Sequence, residues 1–257
     1  MKILYALAVL CLLPSSCYCQ GSPALTIDSR VIVSPVSPTL CGLMTEEINY
    51  SYDGGLYAEM IRNRSFLHTW GGFEHWSPYT RGNGHVLVSA GKDGPSQALP
   101  KSLQLDVTQA GKGNGAGLAN DGYWSMAVRP GTAYHGYFYA KSAGVGAAIL
   151  QLVSDHAGSI LAETKVSTED GPWRKYDFDL QTKTGIAASQ LNHFVLTFEH
   201  PGTIELQLVS LFPPTYHNRA NGNRPDLMEK MAALQPRFLR FPGGNYLEGD
   251  TIAERFD

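Results

Sequence analysis

Between residues 67 and 212 the chain is cut into short segments in which apolar and polar residues alternate. Gly, Pro, Asn or Asp stands at most of the boundaries. A period of two puts successive side chains on opposite faces of an extended strand, so the pattern suits strands with one buried face. The segments are Val86–Ser89, Leu103–Thr108, Trp124–Val128, Tyr134–Ala140, Ile149–Ser154, Ile160–Val166, Trp173–Leu180, Phe194–Phe198 and Ile204–Leu211. Turn signals at this density predict an antiparallel β-sandwich or jelly roll.

The flanks read differently. Residues Ala24–Ser34 suit a strand, and Cys41–Ile48 suits a short buried strand ending in Glu46 and Glu47. Asp53-Gly54-Gly55 is a turn, and Leu56–Arg62 places apolar residues at helical spacing (56 and 60, 57 and 61). After Phe212-Pro213-Pro214, the run Asn223-Arg224-Pro225-Asp226 starts a helix with Leu227, Met231 and Leu234 on one face. Gln235-Pro236 ends it, Arg237–Phe241 is a strand, and Pro242-Gly243-Gly244 is a tight loop.

A strand–helix–strand order with a loop at the strand's C-terminal end is the opening of a (β/α)8 barrel. Roughly 100 residues remain outside leader and sandwich, against about 250 for a closed barrel, so the barrel is expected to be incomplete. The expected fold class is therefore multidomain, α/β plus all-β, with the start of a barrel interrupted by the sandwich. The expected divisions are a signal peptide at 1–20, an N-terminal strand and first barrel unit at 21–66, the sandwich at 67–212 and a second barrel unit at 213–257.

Lys2 followed by apolar Ile3–Leu13 and a break at Pro14 has the layout of a secretory signal, with cleavage expected near Cys19/Gln20. The run is too short to span a bilayer comfortably. Ser15-Ser16-Cys17 resembles a poor lipoprotein box, which leaves a lipid anchor on Cys17 as an alternative. The expected location is secreted or periplasmic. Only Cys41 follows the leader, so no internal disulfide is expected and the fold must rely on its core. A net charge of −3 without any Lys/Arg run argues against nucleic acid as a partner.

The chemistry-bearing stretches sit in the flanks. A strand ending in Arg240 sets a guanidinium at the rim of a barrel mouth. Gly243-Gly244 lets backbone approach a ligand, and Asn245 offers both a donor and an acceptor to sugar hydroxyls. Read by itself, the loop is equally a structural turn with a surface Arg. Glu46-Glu47 would sit at the catalytic face if Cys41–Ile48 is a barrel strand, or they are two solvated carboxylates. Glu59 and Glu229 fall on predicted helices and read as solvated faces, while Glu248, Asp250 and Glu254 have no partner opposite them. The eight His residues are scattered without ligand spacing, and no cofactor or metal is expected. Trp124 and Trp173 read as core, whereas Trp70 and Trp76, in a Gly-rich stretch, are the candidates for stacking on a glycan.

Taken together, these stretches resemble one family. Gly42–Asn49 and Asp53–Phe66 look like the first barrel unit of family 51 glycoside hydrolases, the α-L-arabinofuranosidases. Leu211–Pro214, Asn221-Gly222, Arg224–Leu227 and Leu239–Gly249 look like the second. The intervening segment resembles the carbohydrate-binding-module-like insertion of one branch of that family. The resemblance implies that Glu46, Arg240 and Asn245 contact the sugar in the −1 subsite and take no part in proton transfer or attack. It also implies that the two catalytic glutamates lie beyond Asp257, because no Asn-Glu dipeptide occurs in the sequence. The expectation is thus an N-terminal fragment of a retaining enzyme acting on arabinose-containing polysaccharide, inactive alone. The alternative is a non-catalytic secreted carbohydrate-binding protein.

Overall fold

The computed structural model describes residues 24–66 and 73–241. The leader with Cys17, Trp70 and the Pro242–Asp257 stretch with Asn245 lie outside these described residues. The chain divides into two compact units, Met1–Leu40 and Cys41–Asp257.

In the first unit, the strand expected at Ala24–Ser34 does not form. The Asp28 carboxylate accepts from the Arg30 backbone N–H at 3.1 Å and from its guanidinium at 2.9 Å, closing a local turn. An Asp that can bond backbone two residues ahead competes with an extended ladder, and here the turn wins.

The second unit is mostly β. Its strands are β1 (Leu43–Met44), β2 (Trp76–Thr80), β3 (His85–Ala90), β4 (Leu103–Gln109), β5 (Ala116–Asn120), β6 (Ala133–Ala143), β7 (Ala147–Ser154), β8 (Ile160–Ser167), β9 (Gly171–Gln181), β10 (Asn192–Phe198), β11 (Gly202–Phe212) and β12 (Leu239–Arg240), with one helix, α1 (Pro225–Ala233). Strands β2 to β11 form two antiparallel five-stranded sheets, ordered β2-β5-β10-β7-β8 and β3-β4-β11-β6-β9. One apolar core draws on both sheets, including Leu105, Phe138, Leu180, Leu206, Leu118, Leu150, Phe194 and Leu196. The alternation in β6 is legible in the burial itself: Tyr134, Phe138 and Ala140 are buried while His135 is exposed.

Two strands arise where no strand was expected. Strand β2 carries Pro78 and lies at a sheet edge, where a missing N–H breaks no ladder. Strand β5 is Ala-Gly-Leu-Ala-Asn, which reads as a loop, yet it is paired on both sides. A Cβ on Gly117 would stand 1.9 Å from the Leu196 carbonyl oxygen, so the close approach of β10 requires glycine. Conversely, Trp124–Val128 forms no strand. Gly122, Trp124 and Ser125 all have positive φ, which turns the chain sharply out of β5.

Trp76, a stacking candidate by sequence, is buried at 7% exposure. Its indole N–H donates to the Asn63 carbonyl at 3.0 Å, and its ring packs against Phe66 at 5.3 Å. It is a core residue, held by these contacts to the 63–66 segment. Trp76→Phe should cost about 2 kcal/mol through lost volume and an unpaired carbonyl, to be read by urea denaturation.

Helix α1 starts as expected, with Pro225 in the first turn and Asp226 near the helix N-terminus. Gln235 adopts φ 49° and its N–H donates to the Ala232 carbonyl at 3.0 Å, so the helix stops before Pro236. Leu56–Arg62, in contrast, is not a helix but an extended run beside the end of β11. Met60 N–H donates to the Leu211 carbonyl at 2.9 Å and Val209 N–H to the Arg64 carbonyl at 3.1 Å. A bulge in β11 between Gln207 and Ser210 frees the Val209 donor for this contact.

Candidate functional site

Strands β1 and β12 lie side by side and parallel, with Leu43 opposite Leu239 and Met44 opposite Arg240. The ladder runs through Leu43 N–H to the Phe238 carbonyl (3.0 Å), Thr45 N–H to the Arg240 carbonyl (3.2 Å) and Arg237 N–H to the Cys41 carbonyl (3.0 Å). Parallel register brings the C-terminal ends of two strands far apart in sequence to one edge. Glu46 and Glu47 leave one end and Arg240 and Phe241 leave the other. The pair is half-exposed rather than buried as expected for Cys41–Ile48. Met44 is 56% exposed, and among the described residues β1 has β12 as its only neighbour.

The segment after β1 is folded tightly. The Ser51 hydroxyl donates to the Glu46 carbonyl, and the Tyr52 N–H donates to the Glu47 carboxylate at 2.9 Å. Asn49 and Tyr50 take positive φ, and Gly54 turns the chain at Asp53–Gly55 as the sequence suggests. Tyr52 meets Phe241 with ring centroids 5.5 Å apart, so the two strand exits touch. The Arg240 guanidinium is exposed and lies 3.2 Å from the Met44 sulfur. Nearby, a cleft of about 540 Å3 is lined by Glu47, Tyr50, Tyr52, Asp53, Glu59 and Arg62, among others. Carboxylates that accept and guanidinium groups that donate suit a ligand rich in hydroxyls.

Glu59 departs most from its sequence reading. It is 3% exposed, not solvated. Its carboxylate accepts from the Ile61 and Leu211 N–H groups, both at 2.9 Å, and lies 3.5 Å from the Arg64 guanidinium. Burial pushes its carboxyl up to about 7. The two N–H bonds, the Arg64 charge and the Ser210 hydroxyl only partly oppose that shift. The i, i+4 spacing around it suggested a helix. The competing sign was Tyr57, Glu59 and Ile61 on one face of an extended run, but only the position of β11 decides between them.

Tyr50 and the 121–125 loop were also missed. Arg62 lies over the Tyr50 ring at 4.5 Å and 5.8 Å from the Tyr123 centroid. Burial also pushes the Tyr123 phenol well above its ordinary range. The Asn120-Asp121-Gly122 run is a turn signal that could have demoted the strand expected after it. Among the described residues, no group of three or more His, Cys, Asp or Glu could hold a metal.

No family model matches the chain. Curated relatives do. The probable α-L-arabinofuranosidase A of Aspergillus flavus is 33% identical over 86% of this chain and 35% of its own length. α-L-arabinofuranosidase 1 of Arabidopsis thaliana is 30% identical over 99% and 40%. An extracellular exo-α-L-arabinofuranosidase of Streptomyces chartreusis is 34% identical over 86% and 26%. The structure of an arabinose-bound GH51 α-L-arabinofuranosidase superposes with a TM-score of 0.73 at 35% identity, covering 84% of this chain and 36% of that one. The chain thus spans between about a quarter and two fifths of these proteins, and over that span its curated relatives are α-L-arabinofuranosidases and its structural neighbour is one of glycoside hydrolase family 51.

Proposed function

We propose that this chain forms the arabinose-gripping part of a retaining α-L-arabinofuranosidase that releases terminal arabinose from plant hemicellulose or pectin side chains. In this reading β1 and β12 are the first two strands of a (β/α)8 barrel, and β2 to β11 are a jelly-roll insertion between them. Glu46 accepts and Arg240 donates hydrogen bonds to the sugar hydroxyls, and Asn245 completes the grip. Retention needs two carboxyls about 5–5.5 Å apart across the anomeric carbon. The reading assigns both to glutamates outside this sequence. The leader directs the protein out of the cytoplasm, in keeping with the relative named as extracellular.

The observation that carries the reading is the parallel register Met44↔Arg240, which sets the exits of both strands at one edge. Ligands of barrel folds bind at that end of the strands. The test uses the purified 257-residue chain and methyl α-L-arabinofuranoside in saturation-transfer NMR. The wild type should show transfer to the arabinose protons. Arg240→Ala and Glu46→Ala should each weaken binding about tenfold or more, the worth of a charge-assisted hydrogen bond. An aryl α-L-arabinofuranoside should not be hydrolysed by the same preparation. Transfer that survives both substitutions, or clear hydrolysis, would sink the reading.

A further inference from the structure

The loop from Asn120 to Met126 holds an aromatic residue in the open. Trp124 is 71% exposed and has φ 101°, a region bulky side chains seldom enter. The backbone around it is pinned. Gly122 N–H donates to the Asn120 side-chain oxygen at 3.0 Å, Asn192 N–H to the Ser125 hydroxyl at 2.7 Å, and Met126 N–H to the Asn192 carbonyl at 2.8 Å. Asn120 is fully buried and also receives the Arg62 N–H at 3.2 Å, so the loop is tied to the segment that follows β1. Strained backbone that the surroundings over-determine is found where a side chain must be presented to something.

Other rings support the indole. Tyr50 meets Trp124 edge-on at 5.2 Å and Tyr123 at 5.7 Å, and Arg62 stacks over Tyr50. A Cβ on Gly54 would stand 2.4 Å from the Tyr123 ring, so that glycine lets the ring seat against the 53–55 turn. Tyr50 itself follows Glu46 on the segment leaving β1, which makes the aromatic surface continuous with the strand-end site. On its other side, Trp124 lines a groove of about 470 Å3 shared with Tyr57, Arg129 and the Arg224–Asp226 ion pair.

We propose that Trp124, backed by Tyr50 and Tyr123, is a stacking platform for a sugar residue of an arabinose-bearing polysaccharide, next to the arabinose unit gripped at the strand ends. A sugar ring offers a flat C–H face to an indole and a rim of hydroxyls to planar polar groups. The groove supplies both kinds of surface. A single exposed indole beside Asp121, Ser125 and Arg129 lacks the broad apolar area that a protein partner needs. The rigid backing lowers the ordering cost of binding.

The choice of glycan rests on the reading under Proposed function, and the experiment separates the two. Mobility of the full chain is measured in native gels containing soluble arabinoxylan, arabinan or hydroxyethylcellulose. Wild type should be retarded by the arabinose-bearing polymers and not by hydroxyethylcellulose. Trp124→Ala should lower the apparent affinity about tenfold or more, as for a truncated aromatic anchor, and Trp124→Phe should restore part of it. Arabinoxylan should also change the tryptophan fluorescence of wild type but not of Trp124→Phe. Retardation unchanged in Trp124→Ala, equal retardation by hydroxyethylcellulose, or no retardation of wild type would each overturn the platform. If transfer to methyl arabinofuranoside fails while Trp124-dependent retardation persists, the strand-end reading falls and the platform stands.

Discussion

Raising the pH from 4.5 to 8 should lower the stability of the wild-type chain relative to Glu59→Gln by about 3 kcal/mol. The carboxyl of Glu59 is held at about 7 in the fold against an ordinary value of 4.5. Between those values the folded chain keeps a proton that the unfolded chain gives up. The stability from the protonated group is thus fully present below 4.5 and is lost as pH rises through 7. Glutamine stays neutral and keeps an oxygen for the Ile61 and Leu211 N–H groups, so its contribution should be flat over the window. Urea denaturation of both proteins at pH 5 and pH 8 reads the effect as a difference in which other titrating groups cancel. A wild-type-minus-Gln difference that is the same at both pH values would show that Glu59 is not buried as a charge. Glu59→Ala should be worse than either at all pH values, by about 2–4 kcal/mol, because two buried N–H groups lose their acceptor.

The placement of Glu59 explains why the effect is large. The 56–66 run and the end of β11 are joined by few direct backbone bonds, and the carboxylate bridges them at Leu211. Ser210 and Arg64 crowd the same point, with the Arg64 guanidinium 3.4 Å from the Ser210 hydroxyl. A charge there is only partly compensated, so burial dominates.

The second large effect is expected at Gly117. Gly117→Ala should destabilise the chain by about 3 kcal/mol or more, since the new Cβ would meet the Leu196 carbonyl at 1.9 Å and the Thr197 Cα at 2.8 Å. Both obstacles are backbone of β10, which is itself locked between β5 and β7, so neither can swing aside as a side-chain tip would. Gly115→Ala is the internal control. Its nearest neighbours would be 3.4–3.6 Å away, an ordinary contact, and its cost should stay under about 0.5 kcal/mol. Thermal or urea unfolding of the two variants side by side checks this. Equal stabilities would mean that β5 does not sit against β10 in this register.

The long strands were readable because each buries one face on the shared core, and burial of that kind writes itself into the sequence as alternation. Leu103-Gln-Leu-Asp-Val107 and Tyr134–Ala140 are examples. Helix α1 was readable from Pro225, Asp226 and the stop at Gln235-Pro236, all local signals. The failures were places where a neighbour set the conformation. Leu56–Arg62 carries helical spacing but bonds to β11 instead, and β5 looks like a loop partly because its partner leaves no room for a side chain at Gly117. Trp76 and Trp124 exchanged roles for the same reason. Phe66 and the Asn63 carbonyl hold Trp76 inward, and the pinned 120–126 loop turns Trp124 outward.

By itself, then, the sequence determined the period-2 strands, the terminal helix and strand, and the family resemblance carried by Gly42–Phe66 and Leu239–Gly249, because local pattern and residue type are properties of a segment alone. Only the tertiary structure decided that β1 and β12 lie parallel and bring Glu46 and Arg240 to one edge. It alone made Glu59 a buried titrating group and Trp124 an exposed one. Pairing register, burial and the shift of a pKa depend on which distant segment lies across from a residue, and no window of sequence contains that neighbour.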